Sequence, residues 1–540
     1  MRVTLLVTSF NSLSQLLFTY LKDKGVSVDV LFARDDRTII EELQTFSPDI
    51  ILAPYLHYFI PKEVYENYAT FIFHPGIVGD RGAYSLEKAL DYEEWGVSII
   101  KANALYDGGD IYATNSFKVR QTYKASLYRN EVKESYFALL ETFFSHIKED
   151  KKIPQILHPL NTREDITIDW EEDTTQIIVQ KINKLDSIPG IIDEIFGMKV
   201  ALFGAHAEEK LSGKTVKEIL AKRDGAICLA TKDGAVWISH LKELHGFKLP
   251  ATYVLKEKIN GIKESRLSLL FDKSYETFYE LSVEMKEKVA YLSFDFHNGA
   301  MSSQQSIRLK YAIEYLKEEC EVLVLCGGKD FFSNGIHLNI LEDSKKQGED
   351  GWSNINAMND VIKSILEAED IVTVAALSNN AGAGGVFLAL ACDKVVAKKS
   401  VVLNPHYKTL ALSGSEYHSY TLPKRVGQVM AEKILDEALP LSASYAQSIG
   451  MIDKSYVSEH FSKELHEYAL RLYSQELIWE KQDEIEVQRE KMEQCKTQEL
   501  EKMYPEFWDE KSTFHQQRHE FVYKICKQKT PEYLRGVNHA

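Results

Sequence analysis

Over residues 1–150 the apolar positions fall into short runs: "VTLLV" at 3–7, "VSVDVLFA" at 26–33, "PDIILAP" at 48–54, "TFIFHPG" at 70–76 and "GVSIIKAN" at 96–103. Between them lie stretches of helical spacing: "LSQLLFTYLKDKG", ending at Gly25, then "TIIEELQTF" and "YSLEKALDYE". Runs of this length bounded by turn residues predict strands, and the alternation predicts a mostly parallel sheet with helices on both faces. The pattern breaks at "KEDKKIPQILHPLNTRED" (148–165), which is polar, proline-punctuated and reads as a linker. Beyond a helix in "DTTQIIVQKINKL" come short strands with Asp-Gly turns at 224–225 and 233–234, the signature of a small barrel-like β module. From about residue 285 the strand–helix alternation resumes, with strands in "KVAYLSFDF", "VLVLCGG" and "DIVTVAAL". Residues 461–540 are helical and heavily charged, with opposite charges at i,i+4 and few apolar anchors, and read as a solvated or packing helix.

A chain of 540 residues exceeds one core. The pattern divides it at 1–155, 156–275, 276–460 and 461–540, all within an α/β class. A net charge of −16 argues against nucleic acid, which needs a basic face, but leaves room for an anionic cofactor in one local pocket. Six scattered cysteines (228, 320, 326, 392, 495, 526) contain no CxxC pair, which fits a reducing cytoplasm without structural zinc or another metal site. No apolar run reaches the ~18 residues of a membrane span, and the first apolar run is too short for a signal peptide. The first turn, "TSFNSLS", lacks GxGxxG, so a dinucleotide site is unsupported.

Two stretches bare the backbone to a ligand. In "FIFHPGIVGDRGAYSLEKAL" (71–90) a strand delivers His74 to its end, Pro75 fixes the exit, and Gly76, Gly79 and Gly82 allow close approach. In open parallel sheets ligands sit beyond the carboxyl ends of strands, so the next strand is expected to bring Asp107 of "YDGGD" to the same edge. A carboxylate beside an imidazole orients it, raises its basicity or moves a proton itself. Read fragment by fragment, a strand-end turn and an Asp-Gly turn remain open. The second stretch pairs "FFSNGIHL" (331–338) with "NNAGAGGVFLALACD" (379–393): Gly335 turns the N–H of Ile336, and Gly384 and Gly385 open a helix whose first N–H groups are unpaired. Two converging N–H groups make an oxyanion hole; glycines before an apolar helix also fit a plain tight turn, and read alone this stretch leaves both open.

The combination of "FHPGIVGDRGAYSLEKAL", "GVSIIKANALYDGGDIY" and "ITIDWEEDTTQIIVQKINKLDSIPG" resembles the formyltransferases that use 10-formyltetrahydrofolate. The resemblance covers roughly 1–270, and implies a Rossmann-like N-terminal domain followed by the small β module. It implies that His74 and Asp107 are catalytic, and that Tyr55, Arg81, Gly82 and Gly108 belong to the folate site. One departure is Ile72, which stands where that family has an asparagine holding the formyl oxyanion. The missing donor disfavours amine acceptors and is compatible with a thiol, because a thiolate has no proton to shed after attack. Residues 288–455 resemble the crotonase, or enoyl-CoA hydratase/isomerase, family. That resemblance implies a β/α spiral, coenzyme A as ligand, Ile336 and Gly384 as the thioester-carbonyl hole, and Gly335, Gly385, Ala300 and Ser302 lining the CoA edge. Both hydratase glutamates are missing: Phe387 takes one position, His406 lies near the other, and His337 replaces the motif aspartate. The polar groups left are His406, Tyr407, Glu416, Tyr417, His418 and Tyr420; Glu416 is preferred as base, with His406 the alternative and Tyr417 beside them.

A formyltransferase joined to a crotonase in one chain resembles a family of hydrogenase maturation factors. The resemblance implies formyl transfer to CoA, then decarbonylation of formyl-CoA to CO and CoA. The CO would serve as ligand of the nickel–iron centre, and the partners would be the hydrogenase large subunit or other maturation proteins. Alternatives are a formyl-CoA synthase or hydrolase releasing formyl-CoA or formate, and a non-catalytic folate- and CoA-binding scaffold.

Overall fold

The computed structural model describes residues 1–525, 527 and 529–536. The chain forms two compact units: 1–220 with 226–244 and the C-terminal segment from 527, and 221–225 with 245–526.

In the first unit, β1 (Arg2–Val7), β2 (Ser27–Phe32), β3 (Ile50–Ala53), β4 (Ala69–His74), β5 (Glu94–Lys101) and β6 (Ile111–Lys118) form one sheet in the order β2-β1-β3-β4-β5-β6. Pairs from β2 to β4 are parallel, as the βαβ pattern requires. The helix after β1, Ser12–Asp23, starts where Asn11 Oδ1 accepts the Ser14 N–H and ends just before Gly25, whose φ is 71°.

β5 departs from the expectation. It runs antiparallel to β4, pairing His74 with Ser98 and Phe71 with Lys101, and β6 is antiparallel to β5. The residues between "HPG" and "GVSII" include only the short helix Ser85–Ala89, so no full crossover returns the chain to the starting edge. The carboxyl end of β5 therefore lies beside the amino half of β4. Asp107 reaches His74 by a loop that doubles back between Lys101 and Ile111, where Asp107 itself has φ 46°.

The β module has the helix Thr175–Lys184 and strands Ile191–Ile195, Met198–Glu208, Ala235–Glu243 and Ala226–Ala230 paired antiparallel in that order. Asp224 and Gly225 both have positive φ (49° and 87°), as a two-residue hairpin turn needs. At the outer edge of the first sheet, Thr530 Oγ1 accepts the Phe32 N–H and Asp29 Oδ1 accepts the Gly536 N–H, so the segment between Thr530 and Gly536 lies along the β2 edge.

The second unit is built on strands Leu281–Lys286, Val289–Phe294, Val322–Gly327, Val372–Leu377, Lys394–Lys398 and Lys454–Tyr456, in that spatial order. Only the first pair is antiparallel. Two short ladders stand apart from this sheet. One pairs Ala300–Met301 with Gly335–Ile336; the other joins Ala381–Gly382, Val402–Asn404 and Leu441–Ser442. The central strands Val322–Gly327 and Val372–Leu377 are almost continuously apolar, as strands buried on both faces of a parallel sheet are. Helices Ser303–Lys317 and Gln347–Leu366 cover one face of that sheet with Leu309, Ile313, Ile355, Ile362 and Ile365. The described part of the charged C-terminal region holds the helices Phe461–Ala469, Gln475–Trp508 and Thr513–Val522, and the longest packs on the same core through Ile485, Met492, Met503 and Phe507. Cys392 is buried and Cys326 half-buried, and burial pushes the Cys326 thiol up to about 12; both act as small apolar groups. Cys526 lies outside the described residues.

Candidate active sites

His74 is 3% exposed at the end of β4. Its Nε2 lies 2.9 Å from Asp80 Oδ2, and its Nδ1 3.4 Å from Asp107 Oδ2. The imidazole is thus clamped between two carboxylates. Asp80 also receives Ser85 Oγ at 2.6 Å, Asn161 Nδ2 at 3.0 Å and Lys88 Nζ at 3.3 Å. Burial alone would raise its pKa, but the hydrogen bonds from His74, Ser85 and Asn161 outweigh burial and hold the carboxyl well below the usual range.

The glycines of "HPGIVGDRG" have distinct tasks. A Cβ at Gly76 would fall 2.3 Å from His74 Nε2 and 2.5 Å from Asp80 Oδ2, so this residue has no side chain because the His–Asp pair sits on it. Gly82 (φ 83°) donates its N–H to Asp107 Oδ2 at 2.8 Å, and Arg81 Nε donates to the Tyr106 carbonyl at 2.8 Å. Arg81 and Gly82 therefore fasten the Asp107 loop directly. Gly108 is required by its own turn, where a Cβ would meet Leu105 Cβ at 2.7 Å. Tyr55 is half-buried, edge-on to His57 at 4.7 Å and 6.0 Å from Tyr128; Tyr128 Oη accepts from Asn11 Nδ2. Ile72, in the asparagine position, packs against the apolar cluster of Leu6, Ile51 and Ile60.

Sequence reasoning missed Asp80, Ser85, Lys88 and Asn161. The first three sit inside the quoted motif, where an aspartate, a serine and a lysine beside glycines read as ordinary turn and helix-start residues. Asn161 comes from the stretch that reads as a linker. That stretch instead lies along the motif: the His158 N–H donates to Gly79 O and the Asn161 N–H to Arg81 O.

In the second unit, "FFSNGIHL" and "NAGAGG" converge. A Cβ at Gly335 (φ 78°) would be 3.2 Å from Gly384 N, and one at Gly385 would be 2.0 Å from Ser333 O. Glu416 closes the group: a Cβ at Gly384 would fall 2.5 Å from its Oε1. Glu416 is 2% exposed, and its Oε2 accepts from Ser415 Oγ at 2.6 Å and Tyr407 Oη at 2.7 Å. Burial raises its pKa against those two hydrogen bonds. Phe387 stacks on Tyr407 at 5.4 Å, and His418 meets both rings edge-on, so aromatic side chains wall the carboxylate.

The other predicted groups are placed differently. The Tyr407 hydroxyl, not that of Tyr417, donates to the Glu416 carboxylate. The Tyr417 hydroxyl is buried without a hydrogen-bond partner, and its charged neighbours are Glu493, Glu367, Glu499 and Asp360. His406 makes no hydrogen bond through its buried Nδ1, and burial lowers its pKa to about 4, so it is neutral at pH 7. His337 accepts the Ile340 N–H through Nδ1 and caps the helix Leu338–Asp343. Ala300 pairs with Gly335, and Ser302 caps the helix Ser303–Lys317.

The chain matches two family models: enoyl-CoA hydratase/isomerase over residues 284–527 and formyl transferase, C-terminal domain, over 161–258. The first match runs past residue 460 through the C-terminal helices. The chain is 33% identical to hydrogenase maturation factor HoxX of Bradyrhizobium diazoefficiens, over 99% of this chain and 97% of that one. It is 38% identical to HypX from Aquifex aeolicus, whose crystal structure in complex with tetrahydrofolic acid superposes with a TM-score of 0.96 over 100% of this chain and 99% of that one. A putative enoyl-CoA hydratase/isomerase of Bacillus subtilis, YhaR, is 28% identical over 31% of this chain and 64% of its own. With formyltransferase and crotonase parts in this order and similarity along its full length, the chain belongs to the HypX/HoxX family of hydrogenase maturation factors.

Proposed function

We propose that the chain transfers the formyl group of 10-formyltetrahydrofolate to coenzyme A and then decarbonylates formyl-CoA to CO and CoA. The CO is destined for the nickel–iron centre of a hydrogenase, whose large subunit or maturation proteins are the partners, in the cytoplasm. The reading assigns transfer to residues 1–275 and decarbonylation to 276–460 with the helices of 461–540. No helix among the described residues is long and apolar enough to cross a membrane.

The residues fit both ligands. Tyr136 Oη is buried without a partner and within electrostatic reach of Asp107 and Tyr128, where a polar group of the folate would satisfy it. At Gly384 a Cβ would collide with the Glu416 carboxylate and at Gly335 it would crowd Gly384 N, so glycine alone lets these two backbones and the carboxylate meet, and Asn359 Nδ2 is buried without a partner beside the Glu416 backbone. In the transfer step the formyl carbon exchanges its bond to N10 for one to the CoA sulfur. His74 and Asp107 handle the single proton that passes from thiol to N10. With Ile72 giving no donor, a thiolate acceptor suits the site better than an amine.

The observation that carries the second step is Glu416: a buried carboxylate of raised pKa against Gly384, in a site without either hydratase glutamate. Formyl-CoA has no α-carbon, so enolate chemistry is closed to it. Glu416 accepts the formyl proton, the C–H pair stays on carbon as CO forms, the C–S pair leaves with sulfur, and the proton returns to the thiolate. Aromatic walls that exclude water favour this route over hydrolysis.

The test is a product assay. Protein is mixed with 10-formyltetrahydrofolate and CoA, CO is captured by a haem protein, and formate is assayed in solution. Folate-dependent CO supports the reading. Formate or formyl-CoA without CO assigns the chain to the hydrolase or synthase class, and no turnover assigns it to the scaffold class. Glu416→Gln is expected to abolish CO while formyl-CoA accumulates; unaltered CO output removes Glu416 from the mechanism.

A further inference from the structure

We infer that Glu499, on the C-terminal helix Gln475–Trp508, is a positioning residue that holds Glu416 in its working place, with Asn359 as its counterpart. The inference rests on the reading of Glu416 as the base of the second step.

Glu416 and Tyr417 are consecutive non-glycine residues in the left-handed region, with φ 59° and 54°. Each such residue costs on the order of 1–2 kcal/mol and persists only where its surroundings hold it. Two side chains from different helices do so. Asn359 Oδ1 accepts the Glu416 N–H at 2.9 Å, and Glu499 Oε2 accepts the Tyr417 N–H at 3.0 Å. The other oxygen, Glu499 Oε1, accepts from Ser419 N–H at 2.8 Å and Ser419 Oγ at 2.6 Å and lies 3.2 Å from His418 Nδ1.

The helix His418–Val426 begins at this point and has no side-chain cap of its own, because Tyr417 at its N-cap position supplies none. Glu499 provides that cap from another helix: an acceptor for the unpaired first N–H groups and a negative charge at the positive end of the dipole. Glu499 is itself 3% exposed, and a carboxylate buried so deeply requires the donors it finds there. The carboxylate and the strained turn therefore require each other.

The helix sequence marks the residue. Ile478, Ile485, Met492 and Glu499 follow one another at heptad spacing along the buried stripe, so one carboxylate stands in an apolar register. Removing its charge releases the Tyr417 side of the turn, one of the two restraints on the backbone that carries Glu416 against Gly384.

The experiment uses full-length Glu499→Gln, which keeps the size but presents an NH2 group to the N–H of Tyr417 or of Ser419. With 10-formyltetrahydrofolate and CoA, kcat for CO is expected to fall on the order of 100-fold. Formyl-CoA formation and the KM for formyl-CoA are expected to stay near wild type, and the acid limb of the pH profile for CO release to move. If the glutamine variant does not fold, Ser419→Ala removes only one donor and is expected to give a smaller loss with the same displaced limb. A wild-type kcat and pH profile in Glu499→Gln, or in Ser419→Ala where that variant is the one measured, overturns the positioning role. Absence of CO from the unmutated protein overturns the decarbonylase reading and this inference with it, and is seen before any variant is made.

Discussion

At the scale of single residues, the first site depends on what is absent as much as on what is present. Gly76 lacks a side chain because His74 and Asp80 occupy that space. Gly76→Ala is expected to cost roughly 1–3 kcal/mol by overpacking and to lower formyl transfer, checked by thermal melting and by consumption of the formyl donor. Asp80 has a pH signature. Its folded pKa is depressed, so its contribution is present above the unfolded value of about 3.9 and is lost as pH falls through the lower folded value. Asp80→Asn is expected to destabilise the protein by roughly 1–3 kcal/mol at pH 7, and the gap from wild type to narrow below about pH 4. Melting curves across pH check it. His74 and Asp107 stand out in the sequence because their motif is contiguous with strand ends. Asp80 does not, because an aspartate in a glycine-rich turn reads as turn chemistry until its partners are located.

At the scale of elements, local capping rules decided several helix starts. Ser302 and Gln305 form a reciprocal capping box on the helix Ser303–Lys317. Ser302→Ala is expected to cost about 1 kcal/mol, measured by denaturant unfolding; because its hydroxyl serves the helix, the loss reads first in stability. Elements whose partners lie far away were less legible. The antiparallel β5 could not be told from a parallel strand, because both are apolar runs and only the missing crossover separates them. The segment 148–165 looks like a linker because polar residues and prolines give no periodicity, yet its backbone pairs with Gly79 and Arg81. The helix Gln475–Trp508 reads as charged, and its sparse heptad stripe is enough to pack it on the core.

At the scale of the whole molecule, the two proposed steps are separable. His74→Ala is expected to consume no formyl donor but to release CO when given formyl-CoA. Glu416→Gln is expected to convert formyl donor and CoA to formyl-CoA and release no CO. Headspace CO and thioester assays on the two variants check this, and CO from Glu416→Gln or donor consumption by His74→Ala contradicts the assignment of steps to sites. The sequence by itself determined the α/β class, the order of its parts, and the motifs that present His74, Asp107, Gly335, Gly384 and Glu416. Those features are written in neighbouring residues: periodicity, turn chemistry and contiguous glycine-rich runs. Tertiary packing alone brings Asp80 to His74 and Asn161 to Asp80, makes Tyr407 rather than Tyr417 the donor to Glu416, and carries Glu499 to the same turn from a helix 82 residues downstream of Tyr417. A hydrogen bond depends on distance and direction, and the chain fixes both only after distant segments pack.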